Sequence, residues 1–134
     1  MKRYQLLVVD DSSIAREAVK AILANFHCDV VIAESGEQAI EQCNLMQFDL
    51  IMMDLSLPRH NGFEFIELIR ENSILNKKTP MVALTIHNEG YFTAQIQKAH
   101  LNGFITKPLT RVKVTELINQ LDQETLSSSK KELK

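Results

Sequence analysis

Short, nearly unbroken apolar runs alternate along this chain with stretches in which apolar residues return at helical spacing. Tyr4–Val9 holds Leu6, Leu7, Val8 and Val9 together, which predicts a strand buried on both faces, as in a parallel sheet covered by helices. A helix follows in which Ile14, Ala18, Ile22 and Phe26 recur, with Val19 and Leu23 beside them, and Ser12 or Ser13 can cap it. Val30, Val31 and Ile32 predict a second strand over 29–34. Ser35 and Gln38 have the spacing of a capping box and open a second helix with Ala39, Ile40, Cys43 and Met46 on its apolar face.

The third run, 48–53, ends at Asp54, and Pro58 and Asn61-Gly62 mark a loop behind it. Phe63, Ile66 and Ile69, flanked by Phe65 and Leu68, predict the third helix. Thr79-Pro80 restarts the chain into Met81, Val82, Ala83 and Leu84, a fourth strand ending at Thr85. Phe92, Ile96 and Ala99 predict a fourth helix, weakened near its start by Gly90. Asn102-Gly103 turns into a very short fifth strand, 104–106, which Lys107-Pro108 closes. Thr110 can cap a fifth helix whose core face is Val114, Leu117, Ile118 and Leu121. Such alternation predicts one doubly wound (βα)5 domain of the α/β class, a parallel sheet with helices on both faces. The domain is expected over 1–126, with the small, polar and charged 127–134 as a fraying tail.

A chain of 134 residues suits one domain with a sizeable core. Hydrophobic residues make up 45% and charged residues 24%, which excludes a disordered chain. A formal charge of -2 with interspersed signs gives no electrostatic basis for nucleic-acid binding. Cys28 and Cys43 lack metal-ligand spacing and read as buried free thiols of a reducing compartment. The opening MKRYQLLVVDD reaches paired acids too soon for a signal peptide or a membrane span, so a cytoplasmic location without membrane insertion is expected. The histidines, 27, 60, 87 and 100, are scattered and form no metal motif.

Chemistry gathers where the strands end. Asp10 and Asp11 follow the first strand, Asp54 the third, Thr85 the fourth and Lys107 the fifth. A parallel sheet brings all of them to its carboxyl edge, where open α/β sheets bind their ligands. Each residue alone has an ordinary explanation: a helix start favours Asp10-Asp11 by about 0.3–1 kcal/mol, Asp54 and Thr85 can cap, and Lys107 can sit on the surface. Their joint arrival at one edge is not ordinary. Crowded carboxylates raise at least one pKa, and Mg²⁺, which prefers oxygen ligands and keeps several waters, resolves the repulsion. With the Lys107 charge and the Thr85 hydroxyl added, this is a site for a phosphoryl group, and carboxylates do serve as phosphoryl acceptors.

The segments VVDDS at 8–12, MMDLSLP at 52–58, Asn61-Gly62, ALT at 83–85 and ITKP at 105–108 together resemble the receiver domain of bacterial two-component response regulators, over about 4–122. That resemblance implies a flavodoxin-like five-stranded sheet in the order 2-1-3-4-5. It implies Asp54 as phosphoacceptor and Mg²⁺ held by Asp11, Asp54 and the Ser56 backbone carbonyl, with Asp10 acting largely through water. Lys107 would pair with phosphoryl oxygens and Thr85 would hydrogen-bond to one of them. Phosphorylation would draw Thr85 inward, with Phe104 filling the vacated space. The family often has a cis bond at the place of Lys107-Pro108. Output would use the face of the fourth helix, fifth strand and fifth helix. Ile86 stands where receivers usually have Ala or Gly, and His60 where an apolar residue is commoner. Ser56 and His87 stand at positions that tune phosphoryl lifetime, so Ser56, Ile86 and His87 are expected to set self-dephosphorylation.

Two enzyme-like or cofactor-binding alternatives fit less well. A flavodoxin-type protein would set phosphate-cradling donors where Asp10-Asp11 would repel the cofactor. A haloacid-dehalogenase-type phosphatase expects a second Asp at the place of Ser56. A phosphorylation-independent adaptor remains a third class. The chain has no helix-turn-helix and no catalytic output domain, so it is expected to signal through partners rather than act as an enzyme. The donor would be a histidine kinase or a histidine phosphotransfer protein. The ALT segment and the KPLTRVKVTELINQL ending resemble receivers of hybrid histidine kinases, while Met1 and the charged tail would suit a single-domain regulator.

Overall fold

The computed structural model describes residues 2–57, 62–86 and 98–123. In chain order these form β1 (Tyr4–Val9), α1 (Ser13–Leu23), β2 (Cys28–Ala33), α2 (Gly36–Leu45), β3 (Leu50–Asp54), α3 (Gly62–Asn72), β4 (Met81–Thr85), β5 (Gly103–Thr106) and α4 (Arg111–Asp122). The strands make one parallel sheet in the order β2-β1-β3-β4-β5. Here α4 is the fifth helix of the sequence reading. The fourth helix expected around 92–99 lies almost wholly outside the described residues, as do Pro58, His60, Asn61, His87, Gly90 and the tail over 127–134.

Side chains alternate across a strand, so each buried run feeds two cores. Leu7, Val9, Ile51, Met53, Met81 and Ala83 pack with Ala39 and Cys43 of α2 and Phe65, Ile66 and Ile69 of α3. Leu6, Val8, Leu50, Met52, Val82 and Leu84 pack with Val19 and Leu23 of α1 and Val114 and Leu117 of α4. The free thiols of Cys28 and Cys43 are both buried, and burial pushes Cys43 up to about 11.

Local chemistry moves some predicted boundaries. Helix α1 stops at Leu23, and Phe26 lies beyond it in a turn whose N–H donates to the Leu23 carbonyl at 3.0 Å. Strand β3 begins at Leu50 rather than Phe48 because side chains take up the Phe48 backbone: Asn76 Oδ1 accepts its N–H at 2.8 Å and Thr79 Oγ1 donates to its carbonyl at 3.2 Å. Asp54 belongs to the strand, in register with Leu84 of β4. At α2 the Ser35 hydroxyl caps Gln38 N–H at 3.2 Å as expected, but Gln38 Oε1 reaches one residue further back than in a standard capping box, accepting Glu34 N–H at 2.8 Å. Thr110 caps α4 through Lys113 N–H at 3.3 Å. No helix among the described residues is long and apolar enough to cross a membrane.

Candidate functional site

Asp10 is the first residue past β1, yet its N–H still donates to the Ala33 carbonyl at 3.1 Å, which fixes it to the end of β2. Its side chain is fully buried and both carboxylate oxygens are engaged. Oδ1 accepts the Ser12 N–H at 3.0 Å and Oδ2 accepts from Lys107 Nζ at 2.6 Å. Arg16 Nη1 donates to the Asp10 carbonyl at 3.0 Å, and its other nitrogen lies 3.5 Å from Glu34. Asp11, the next residue, is exposed.

Asp54 closes β3 with only 2% of its surface exposed. The Ser56 N–H folds back onto its Oδ1 at 2.9 Å, and Lys107 Nζ stands 3.5 Å from Oδ2. Loss of solvation on burial raises the Asp54 pKa above the ordinary carboxylate value, and Asp10 adds to the rise, while the Ser56 N–H and Lys107 oppose it. The expected upward shift is present, but desolvation outweighs the acid–acid repulsion that the sequence suggested as its cause. The Leu55 N–H donates to the Leu84 carbonyl at 2.9 Å, so the backbone behind Asp54 is tied to β4. At Gly62 a Cβ would lie 2.3 Å from the Asp54 carbonyl oxygen, so α3 starts directly against the end of β3.

Thr85 ends β4, fully buried, and its carbonyl accepts the Lys107 N–H at 2.7 Å. Phe104 is fully buried in the first of the two cores, in register with Ala83. The Lys107–Pro108 bond is cis. Ile86 is 64% exposed and, with Val19, Ile22 and Leu109, walls an apolar cleft of about 270 Å³ that opens beside Asp10 and Lys107.

The fold therefore brings Asp10, Asp11, Asp54, Ser56, Thr85, Ile86 and Lys107 to one edge, sets Phe104 beneath it, and leaves His87 outside the described residues. One carboxylate oxygen from each of Asp10, Asp11 and Asp54 lies within 4.8 Å of the others. An all-oxygen donor set with one exposed member fits Mg²⁺, a hard cation that retains water. Sequence reasoning missed Arg16 and Lys113, which hold the backbone around Asp10 and around Lys107. The available signal was a cation near a helix start, where the macrodipole favours anions.

A family model described as response regulator receiver domain matches residues 6–119. The CAI-1 autoinducer sensor kinase/phosphatase CqsS of Vibrio cholerae is 31% identical over 107 residues, which are 80% of this chain and 16% of that relative. The chain thus spans a small part of the curated relatives it matches first. Among solved structures, chemotaxis response regulator CheY4 of Vibrio cholerae aligns with a TM-score of 0.80 and 26% identity over 90% of this chain and 99% of that one. The receiver domain of sensor histidine kinase PA1611 from Pseudomonas aeruginosa, with a magnesium ion coordinated in its active site cleft, aligns at 0.78 and 24% identity over 91% and 97%.

Proposed function

The chain belongs to the response regulator receiver domain family, and on that premise we propose that Asp54 accepts a phosphoryl group from a phosphohistidine partner. The observation that carries this is the placement of Asp54: buried at the end of a central strand, 3.5 Å from the Lys107 ammonium, inside a carboxylate trio. The phosphorus–nitrogen bond of the donor breaks, a phosphorus–Oδ bond forms on Asp54, and the leaving imidazole regains its lone pair. Little covalent chemistry falls to the protein, so positioning and charge carry the rate.

Asp11, Asp54 and the Ser56 backbone carbonyl would hold Mg²⁺. Asp10, whose oxygens already serve Ser12 and Lys107, would reach it through water. Bound there, the ion would neutralise charge on the oxygens of the transferred group. Lys107 meets the phosphoryl oxygens, and the Thr85 hydroxyl donates to one of them once the side chain turns toward the site. Phe104 and Thr85 would then set the output face formed by the fourth helix, β5 and α4. No enzymatic turnover beyond self-phosphorylation and self-dephosphorylation is proposed. The donor would be a histidine kinase or a histidine phosphotransfer protein, and the likeness to a segment of CqsS favours a hybrid-kinase setting for the chain.

Intact mass after incubation with Mg²⁺ and a small phosphodonor tests this. A phosphoryl-sized gain that requires Mg²⁺ and disappears in Asp54→Ala is expected. No gain from either small or phosphohistidine donors would leave a receiver-like adaptor that works without phosphorylation.

A further inference from the structure

Residues 107–110 form the short connection between β5 and α4, and Lys107 is its first residue. The Lys107 N–H is tied to Thr85, and Leu109 is buried at the mouth of the second core. The carbonyls on either side of Lys107 are also taken. Lys113 Nζ donates to the Thr106 carbonyl at 2.5 Å and to the Pro108 carbonyl at 3.2 Å. Lys113 stands in the first turn of α4, where a cation is disfavoured by the helix dipole. Its side chain turns back over the connection to two acceptors that the helix cannot satisfy.

We propose that Lys113 is a positioning residue for Lys107, clamping the Thr106 and Pro108 carbonyls so that the Lys107 ammonium is held at the Asp10–Asp54 edge. This rests on the phosphoacceptor reading above. Lys113 touches neither phosphoryl group nor metal; it fixes the backbone from which Lys107 reaches. An ammonium bonded to two carbonyls gives charge-assisted hydrogen bonds, stronger than neutral ones and directional enough to hold a loop.

Lys113→Met keeps the aliphatic stem and removes the donor, and Lys113→Arg restores one. Each is assayed in the full chain for the rate of Asp54 phosphorylation by acetyl phosphate at saturating Mg²⁺, for Mg²⁺ affinity by calorimetry, and for thermal unfolding. Lys113→Met should slow phosphorylation on the order of tenfold without changing Mg²⁺ affinity, and Lys113→Arg should recover most of the rate. In a Lys107→Met background, Lys113→Met should cost nothing further, because the two act as one unit. A wild-type rate in Lys113→Met, a matching loss of Mg²⁺ affinity, or an undiminished loss beside Lys107→Met would overturn the proposal. Should Lys113→Met not fold, Lys113→Gln, whose amide spans fewer acceptors, takes its place with the same expectations at reduced size. A wild-type chain that gains no phosphoryl mass from acetyl phosphate or from a phosphohistidine donor sinks the phosphoacceptor reading and this proposal together, whereas a phosphorylated wild type with an unaffected Lys113→Met sinks this proposal alone.

Discussion

Lys107 Nζ lies 2.6 Å from Asp10 and 3.5 Å from Asp54, so the lysine is held by the neighbouring acid rather than by the proposed acceptor. The Lys107 side chain is 20% exposed and that of Asp10 is 1% exposed, which makes this a nearly buried pair. Removing one partner of such a pair strands the other charge, and the stranded charge dominates the cost. Lys107→Met should therefore destabilise the metal-free protein by on the order of 3 kcal/mol. Adding Asp10→Asn should recover much of that loss, since the uncompensated carboxylate is then gone. Denaturant unfolding in a chelator reads both; equal stability of Lys107→Met and wild type would show that Asp10 does not depend on the lysine.

Gly62 tests how tightly α3 is set against the acceptor. A Cβ there meets the Asp54 carbonyl at 2.3 Å and Met53 Cγ at 2.9 Å, and backbone on that side cannot yield without moving β3. Gly62→Ala should cost roughly 1–3 kcal/mol and slow Asp54 phosphorylation in the molecules that remain folded. Gly36→Ala is the control: its Cβ would clash with the Phe65 ring at 2.1 Å, with no Asp54 atom among its nearest contacts. It should lower stability while leaving the phosphorylation rate of the folded protein alone. Equal effects of the two on that rate would remove the special role given to Gly62.

What the chain announces about itself depends on the range of each interaction. Buried strands announce themselves as apolar runs, and the residue that ends each run is legible with it. Asp10, Asp54, Thr85 and Lys107 were therefore readable as one edge, because parallel pairing carries strand ends to the same side. Contacts made only in three dimensions were not readable. Asn76 is fully buried and joins α2, the start of β3 and the turn before β4 through bonds to Cys43, Met46, Phe48 and Thr79, yet in sequence it is one more polar loop residue. Arg70 likewise donates to the Thr79 carbonyl at 2.6 Å and the His100 carbonyl at 3.1 Å from what reads as an exposed helix face. Gly62 looked like half of a turn signal, and only the packing of α3 on β3 gives it a further reason to lack a side chain.

The charge on Asp54 should be visible in stability. Its pKa is raised chiefly by burial, so the folded protein holds the proton more tightly than the unfolded chain does. Stability attached to this group is then complete below the ordinary value of 3.8 and declines as pH rises through the folded pKa. Asp54→Asn removes the ionisation. In a chelator, the variant should be the more stable of the two at neutral pH, and the gap should close as pH falls toward 3.8. Denaturant titrations at several pH values measure the gap. A gap that widens on acidification would mean that Lys107 and the Ser56 N–H overcome desolvation, reversing the sign.

Ile86 bears on access to the acceptor from two directions at once. Its side chain is largely exposed and forms part of the apolar cleft beside Asp10 and Lys107, where a donor protein approaching Asp54 would cover it. Covering part of an isoleucine is worth about 1 kcal/mol, or about fivefold in affinity. The same branched side chain narrows the path of water and small donors to the proposed phosphoryl group. Ile86→Ala should therefore speed phosphorylation by acetyl phosphate and shorten the lifetime of the phosphorylated form several-fold. Transfer from a phosphohistidine protein should weaken instead. His87→Ala, run alongside, separates the contribution of the next residue to the decay. Opposite movement of the two donors would place Ile86 in both roles. If both rates rise together, Ile86 acts only as a shield, and if the decay rate of Ile86→Ala matches wild type, it does not tune the lifetime at all.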